Sequence, residues 1–274
     1  LDSYVSVLMM ENKVVTKKVL ERAGISVPGG YEYTSPEAGM ADYRMYAGKP
    51  VVIKPKSTNF GLGITILKHN YDETDFKAAL QIAFEHDNTV LIEKFIPGRE
   101  FRIFIINDEV VGILHRVPAN VTGDGVLNIG QLIDMKNEDP LRGKGYRTPL
   151  EKIRKGREEE MFLKQQGMDF NTVPKEREVV YLRENSNIST GGDSIDFTDD
   201  IDDSYKAIAV EAAKALNVKI TGLDMMIQDI HAPATPDNYA IIEMNFNPAI
   251  HIHCYPFKGK NRHLNHKMIK ALGF

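Results

Sequence analysis

Ile241-Ile242-Glu243-Met244-Asn245-Phe246-Asn247-Pro248 is the stretch from which the rest of the chain can be read. Taken as the end of a buried strand, it points Ala240, Ile242, Met244 and Phe246 to one face. Ile241, Glu243, Asn245 and Asn247 go to the other. A carboxylate and two amides then share one side. Upstream, Thr221-Gly222-Leu223-Asp224-Met225-Met226-Ile227 reads as a second strand with one acid in an apolar run. The polar, proline-bearing link 229–238 would close a hairpin and set Asp224 beside Glu243. Oxygen donors with a carboxylate pair suit Mg²⁺, which takes one or two carboxylates plus substrate phosphates. The plainer alternative is a strand whose polar face meets water.

At 274 residues the chain holds one large domain or two small ones. With 42% hydrophobic and 26% charged residues it can bury a sizeable core. A formal net charge of −4 argues against a nucleic-acid partner, which calls for a basic face. No apolar run approaches a membrane span; the densest, Phe101–Ile106, contains Arg102. A single cysteine cannot form an internal disulfide, so a reducing, cytoplasmic setting is expected. The chain starts at Leu1 and has no signal-peptide pattern, so a processed or excised piece of a longer protein is expected.

Asp2–Met10 reads as a short lead-in. Asn12–Ala23 has helical spacing, stopped by Gly24. Lys13 lies in its first turn, where the helix dipole disfavours a cation; it is either solvated or aimed at a bound anion. Pro50–Pro55 and Gly63–Lys68 are strands flanking the small-residue loop 56–62. That loop, with Ser57 and Gly61, suits a flap over phosphates, and a plain hairpin turn is the alternative. Lys54 sits inside an apolar strand, where a lysine is costly without an anionic partner. Glu73–His86 is a helix, Val90–Ile96 a strand. Glu100–Ile106 and Glu109–Val117 are strands joined at Asn107-Asp108. Glu100 and Arg102 share one strand face with Arg116 on the next strand, either as a cross-strand salt bridge or as charge aimed at a ligand.

Ile129–Lys136 is a short helix. The basic run 139–155 precedes Glu158-Glu159-Glu160, so it reads as a solvated helix face. Val179–Arg183 is a strand entering a second donor-rich glycine loop, 184–194. Asp203–Leu216 is a helix. His251-Ile252-His253-Cys254 looks like a metal-ligand cluster, but in an extended chain Cys254 would face away from the two histidines.

Two lysines, two glycine loops and a terminal acid–acid–amide set would hold a polyphosphate, with Mg²⁺ bridging phosphates to carboxylates. No Ser/His/Asp or Cys/His set is laid out as in a hydrolase. The order Asn12-Lys13, Val51–Pro55, the glycine loop, Glu93–Glu100, Gly222-Leu223-Asp224 and Glu243–Pro248 resembles the ATP-grasp superfamily across nearly the whole chain. The middle, with Arg116–Gly125, Gln166-Gly167, Asn187–Asp193 and Asp196–Asp199, is similar to two branches. One is the ATP-grasp part of cyanophycin synthetases. The other is the C-terminal module of bacterial bifunctional glutathione synthetases, which fuse a glutamate–cysteine ligase to an ATP-grasp unit. Leu1–Lys17 and Phe257–Lys260 look closer to the second.

The resemblance implies an α+β ATP-grasp fold of two α+β subdomains with ATP between them. Residues 1–12 would lead in from a missing N-terminal part, 13–95 would form the small lid subdomain, and 96–274 the large subdomain with the magnesium site. ATP would be bound by Lys13, Lys54, Ser57, Gly61, Gly63, the hinge Glu93, Lys94, Phe95 and Ile96, and Glu100 at the ribose. Asp224, Glu243 and Asn245 would hold Mg²⁺, with Mn²⁺ as an alternative. Arg102, Arg116, Asn120, Arg183, Ser189, Gly191, Gly192 and Asn247 would face the acceptor, with Arg116, Arg183 and Asn245 at the reacting groups.

The implied reaction is ATP-dependent joining of a carboxylate to an amine through an acyl phosphate, with γ-glutamylcysteine and glycine as the first substrate pair. A cyanophycin-type amino-acid ligase and a catalytically silent nucleotide-binding domain are the alternatives. The implied partners are small-molecule substrates and an N-terminal glutamate–cysteine ligase module of the same chain, with no nucleic acid and no membrane; a homodimer is compatible with this.

Overall fold

The computed structural model describes residues 2–57, 62–68 and 70–274. Its internal contacts divide the chain into two units. The first is Leu1–Arg99, Ile103–Val110 and Asp200–Pro248; the second is Glu100–Arg102, Val111–Asp199 and Ala249–Phe274. Each combines strands with helices, giving the expected α+β class.

In the first unit, β1 (Gly30–Tyr33), β2 (Val51–Pro55), β3 (Thr65–Leu67) and β4 (Val90–Lys94) form an antiparallel sheet in the order β1-β4-β2-β3. The helix Glu73–Phe84 covers it because Phe76, Ala79, Leu80 and Ala83 fall on one face at helical spacing. Asp72 starts this helix with a capping box to Asp75. Phe76 is packed by the rings of Tyr43, Tyr46 and Tyr71 at 5.3, 5.7 and 6.3 Å. Gly63–Lys68 was expected to be strand throughout, but the ladder covers only Thr65–Leu67, paired with Val51–Ile53. At Gly63 the chain turns with φ +73°, and opposite it Pro55 has no N–H to give.

The stretch expected as a lead-in is a helix, Tyr4–Glu11. Ser3 caps it by accepting from the Ser6 N–H, and Ser6 Oγ donates to Asn217 O at 3.0 Å. Asn12 ends this helix and caps the next, Lys13–Arg22, its side chain accepting from the Val14 and Val15 N–H groups at 3.2 Å.

Strands β5 (Arg99–Ile106) and β6 (Glu109–Val117) each contribute residues to both units, joined by the positive-φ turn Asn107-Asp108. In the second unit, β7 (Asn120–Thr122), β8 (Arg142–Gly143), β9 (Leu150–Glu151), β10 (Val179–Tyr181) and β11 (Asp193–Asp196) form short pairs. β11 runs antiparallel to β6, β7 to β10, and β8 lies parallel to β9. Its core gathers Val121, Ile129, Leu132, Ile133, Ile153, Leu163 and Leu182. The basic run 139–155 is not a helix face: helix begins only at Arg157, and Arg142 is buried. Its guanidinium is drawn in by the Asp193 carboxylate.

The last two strands, β12 (Ile220–Ile227) and β13 (Tyr239–Asn245), form the expected antiparallel hairpin, with Asp224 directly opposite Glu243. The simple alternation along β13 does not hold. Pairing steps from Asp224↔Glu243 to Met225↔Ile241, so Ile242 is an extra residue in a bulge. That reverses parity: Ile241 turns to the buried side with Met225, while Glu243 and Asn245 stay on the side of Asp224 and Gly222. Among the described residues, no helix is long and apolar enough to cross a membrane.

Candidate functional site

Within the first unit the structure assembles a compact set of charges. Asp224, 2% exposed, faces Glu243 across the hairpin, and Asn245 lies opposite Gly222. Asn245 Nδ2 donates to Gly222 O at 3.3 Å, so the amide oxygen is the atom that would serve a cation. Thr221 Oγ1 donates to Asn245 O at 3.0 Å and fixes that end of the strand. Two carboxylates and an amide oxygen form a hard donor set, the kind Mg²⁺ accepts while keeping positions for phosphate and water. Among the described residues, no group of three or more His, Cys, Asp or Glu is placed to hold a metal.

Lys54 projects from β2 and is buried, its amine 2.9 Å from Glu93 Oε2 on the neighbouring strand. Burial, then repulsion from Lys13, pushes that amine down to about 8, with Glu243 opposing the shift. Lys13, Lys54 and Glu243 therefore lie within electrostatic reach of one another. Lys17 belongs to the same set, its amine ion-paired with the other Glu93 oxygen. It was missed from the sequence, although its position four residues after Lys13 puts both on one helix face.

Around this cluster, Ser57 donates its N–H to Asp87 at 2.7 Å. Gly63 takes φ +73°, and a Cβ there would lie 2.7 Å from Pro55 Cγ. Gly61 lies outside the described residues. Along the hinge, Lys94 and Phe95 donate their N–H groups to Gly29 and Pro50 at 2.9 and 3.0 Å. Ile96 follows the end of β4, and Asn247 is exposed beyond β13.

The second unit holds the other expected residues in separate groups. Glu100 is ion-paired with Arg116 and accepts from Ser186 Oγ at 2.8 Å. Arg183 is ion-paired with Glu158 and Glu159, the latter 1% exposed. Arg102 is buried on β5. Asn120 belongs to a buried network: its Nδ2 donates to Asp193 at 3.0 Å, and its Oδ1 accepts from Lys136 at 3.0 Å. Ser189 lies in the 3₁₀ turn Ile188–Thr190. Gly191 follows at φ +95°, where a Cβ would meet Ile153 at 2.8 Å; one on Gly192 would meet two carbonyl oxygens at 2.8 Å. Close packing is therefore reason enough for both glycines.

His251-Ile252-His253-Cys254 is a helical turn, not an extended chain. His253 is fully buried, and burial above all, helped by Arg102, pushes its imidazole down to about 3.

With this geometry in hand, comparison with known proteins is decisive for the fold. Residues 10–134 match the RimK-like ATP-grasp domain. A crystal structure of a bifunctional glutathione synthetase from Pasteurella multocida superposes with a TM-score of 0.75 at 50% identity, over 99% of this chain and 37% of that one. The fold is ATP-grasp. A D-alanine–D-alanine ligase from Bacillus anthracis shares the ATP-grasp fold at 19% identity, with a TM-score of 0.55 over 90% of this chain and 60% of that one. The glutathione biosynthesis bifunctional protein GshAB of Desulfotalea psychrophila is 62% identical over 274 residues, all of this chain and 35% of that protein. The chain thus spans about a third of the length of such curated relatives.

Proposed function

We propose that this chain is the ligase module that joins γ-glutamylcysteine to glycine at the expense of ATP, making glutathione. The observation that carries the reading is the Asp224–Glu243 cross-strand pair within reach of the buried Lys54. The 62% identity to a glutathione biosynthesis protein along the entire chain supports the choice of substrates. This chain covers 35% of that relative, which leaves room on the same polypeptide for an N-terminal glutamate–cysteine ligase module; a cytoplasmic setting and a homodimer are part of the same reading.

In this reading residues 13–95 are the lid subdomain and 96–274 the large one, with ATP between them. Lys13 and Lys54 meet the phosphates, and the 56–63 loop, with Ser57, Gly61 and Gly63, covers them. The hinge Glu93–Ile96 holds adenine and Glu100 the ribose. Asp224, Glu243 and Asn245 fit Mg²⁺, with Mn²⁺ as a substitute; the ion would offset phosphate charge. Arg102, Arg116, Arg183, Asn247 and the Ser189–Gly192 loop face the acceptor, and Asn120, tied to Asp193 and Lys136, holds the wall behind them.

A carboxylate oxygen of γ-glutamylcysteine attacks the γ-phosphorus, and ADP leaves with the bond electrons. The glycine nitrogen then attacks the acyl carbon, the amide forms, and phosphate departs while the nitrogen loses its proton. Both steps bring anions together, so neutralisation and positioning by lysines and arginines carry the rate, and no protein nucleophile is needed. The reactive thiol belongs to the substrate; Cys254 is buried and packs.

Product mass spectrometry after incubation with MgATP tests this. γ-Glutamylcysteine plus glycine should yield glutathione and ADP. An arginine-extended aspartate peptide, formed instead, would move the chain to the cyanophycin type. MgATP binding without either product would favour a silent nucleotide-binding domain.

A further inference from the structure

Glu93 is 4% exposed and its two carboxylate oxygens are divided between two lysines. Oε2 pairs with Lys54 at 2.9 Å, and Oε1 with Lys17. The three side chains come from three elements: the helix Lys13–Arg22, β2 and β4. The carboxylate is held rigidly. Glu93 pairs on both sides, with Val52 of β2 and with Gly30 of β1. Gly30 permits this close approach, since a Cβ there would lie 2.9 Å from Glu93 Cγ.

A buried carboxylate with one lysine neighbour would neutralise that lysine and compete with any phosphate for it. With Lys17 donating to Oε1, only Oε2 is left to hold Lys54, and the carboxylate's claim on that ammonium is weakened. Burial first, then Lys54 and Lys13, push the Lys17 amine down to about 6, so it serves Glu93 as a hydrogen-bond donor whether or not it is charged.

We propose that Lys17 is a positioning residue of the nucleotide site: by occupying one Glu93 oxygen it keeps Lys54 available to the phosphates of a nucleoside triphosphate. This rests on the reading of Lys54 as a phosphate ligand. Lys17 itself does not touch the nucleotide.

The test is a double-mutant cycle on MgATP dissociation by calorimetry in the full chain, with circular dichroism as the folding check. K17M should raise Kd about tenfold, while K17R, which restores the ion pair, stays within about twofold. In the E93Q background, K17M should change Kd by less than about twofold, because the competing carboxylate is gone. Turnover of K17M at saturating MgATP should stay within about twofold of the parent. Equal weakening by K17M with and without Glu93 would mean direct phosphate contact and overturn the proposal. An unchanged Kd in K17M would also overturn it and leave the ATP site standing. A parent chain that does not bind MgATP would overturn both. If K17M does not fold, K17Q serves in the same cycle.

Discussion

Two buried ionic networks, one in each unit, use the same residue types to opposite ends. In the second unit, Asp193 is ringed by Lys136 at 2.7 Å, Arg142 and Asn120, and both cations also lie over the Phe257 ring, at 5.2 and 5.5 Å. Arg142 further donates to Glu151 O and Gly191 O. Its ion pairs and the Arg142 bonds to backbone fasten the segment 139–155 to the loop at Gly191. In the first unit, Glu93 spans two lysines, and the Lys54 amine is depressed by burial and by Lys13. Both networks set two basic side chains against one carboxylate, but that of the first unit also lies within electrostatic reach of Glu243, the partner of Asp224 across the hairpin. The difference lies in what the buried cations meet: Lys136 and Arg142 spend their hydrogen bonds on Asp193, Asn120 and backbone carbonyls, whereas Lys54 shares Glu93 with Lys17 and lies within electrostatic reach of Glu243.

Several substitutions would break or sharpen this contrast. The largest effect belongs to the acid pair: Glu243→Gln should lower turnover at least about a thousandfold while the thermal melt stays close to the parent. Near-normal turnover would remove Glu243 from the metal set. In the scaffold network, Arg142→Met should cost about 3 kcal/mol in chemical denaturation, because Asp193 stays buried with less compensation. Below the melting point this variant should bind MgATP as the parent does; a selective loss of affinity would erase the distinction between the two networks.

The pH dependence separates them further. In the proposed reading Lys54 must carry its proton to grip phosphate, and in the unliganded chain that proton is lost above about pH 8. MgATP affinity should therefore fall as pH rises through about 8, approaching tenfold per unit. A flat profile from pH 7 to 9.5 by calorimetry would contradict Lys54 as the responsible amine. The smallest effect is local: Asn12→Ala should cost about 1 kcal/mol by removing the cap of the helix that carries Lys13 and Lys17.

Much of this was legible in the chain. The strand Val51–Pro55 with its interior lysine, the helix Ile129–Lys136 and the hairpin that joins Asp224 to Glu243 all followed from spacing and turn residues. The bulge at Ile242 did not, because neither glycine nor proline marks it; only the cross-strand register reveals it. Arg142 looked solvated because its partner Asp193 lies 51 residues away. Lys17 was hidden for the opposite reason. Its signal was local, one turn beyond Lys13, but its partner Glu93 is supplied by a distant strand.

The central claim, ligation through an acyl phosphate, is tested most directly by isotope transfer. γ-Glutamylcysteine labelled with ¹⁸O in the glycine-accepting carboxylate is incubated with MgATP and glycine, and the released phosphate is weighed by mass spectrometry. The account predicts one ¹⁸O in each phosphate and one left in the new amide. Unlabelled phosphate, with the label appearing in AMP or kept entirely in the substrate, would contradict it.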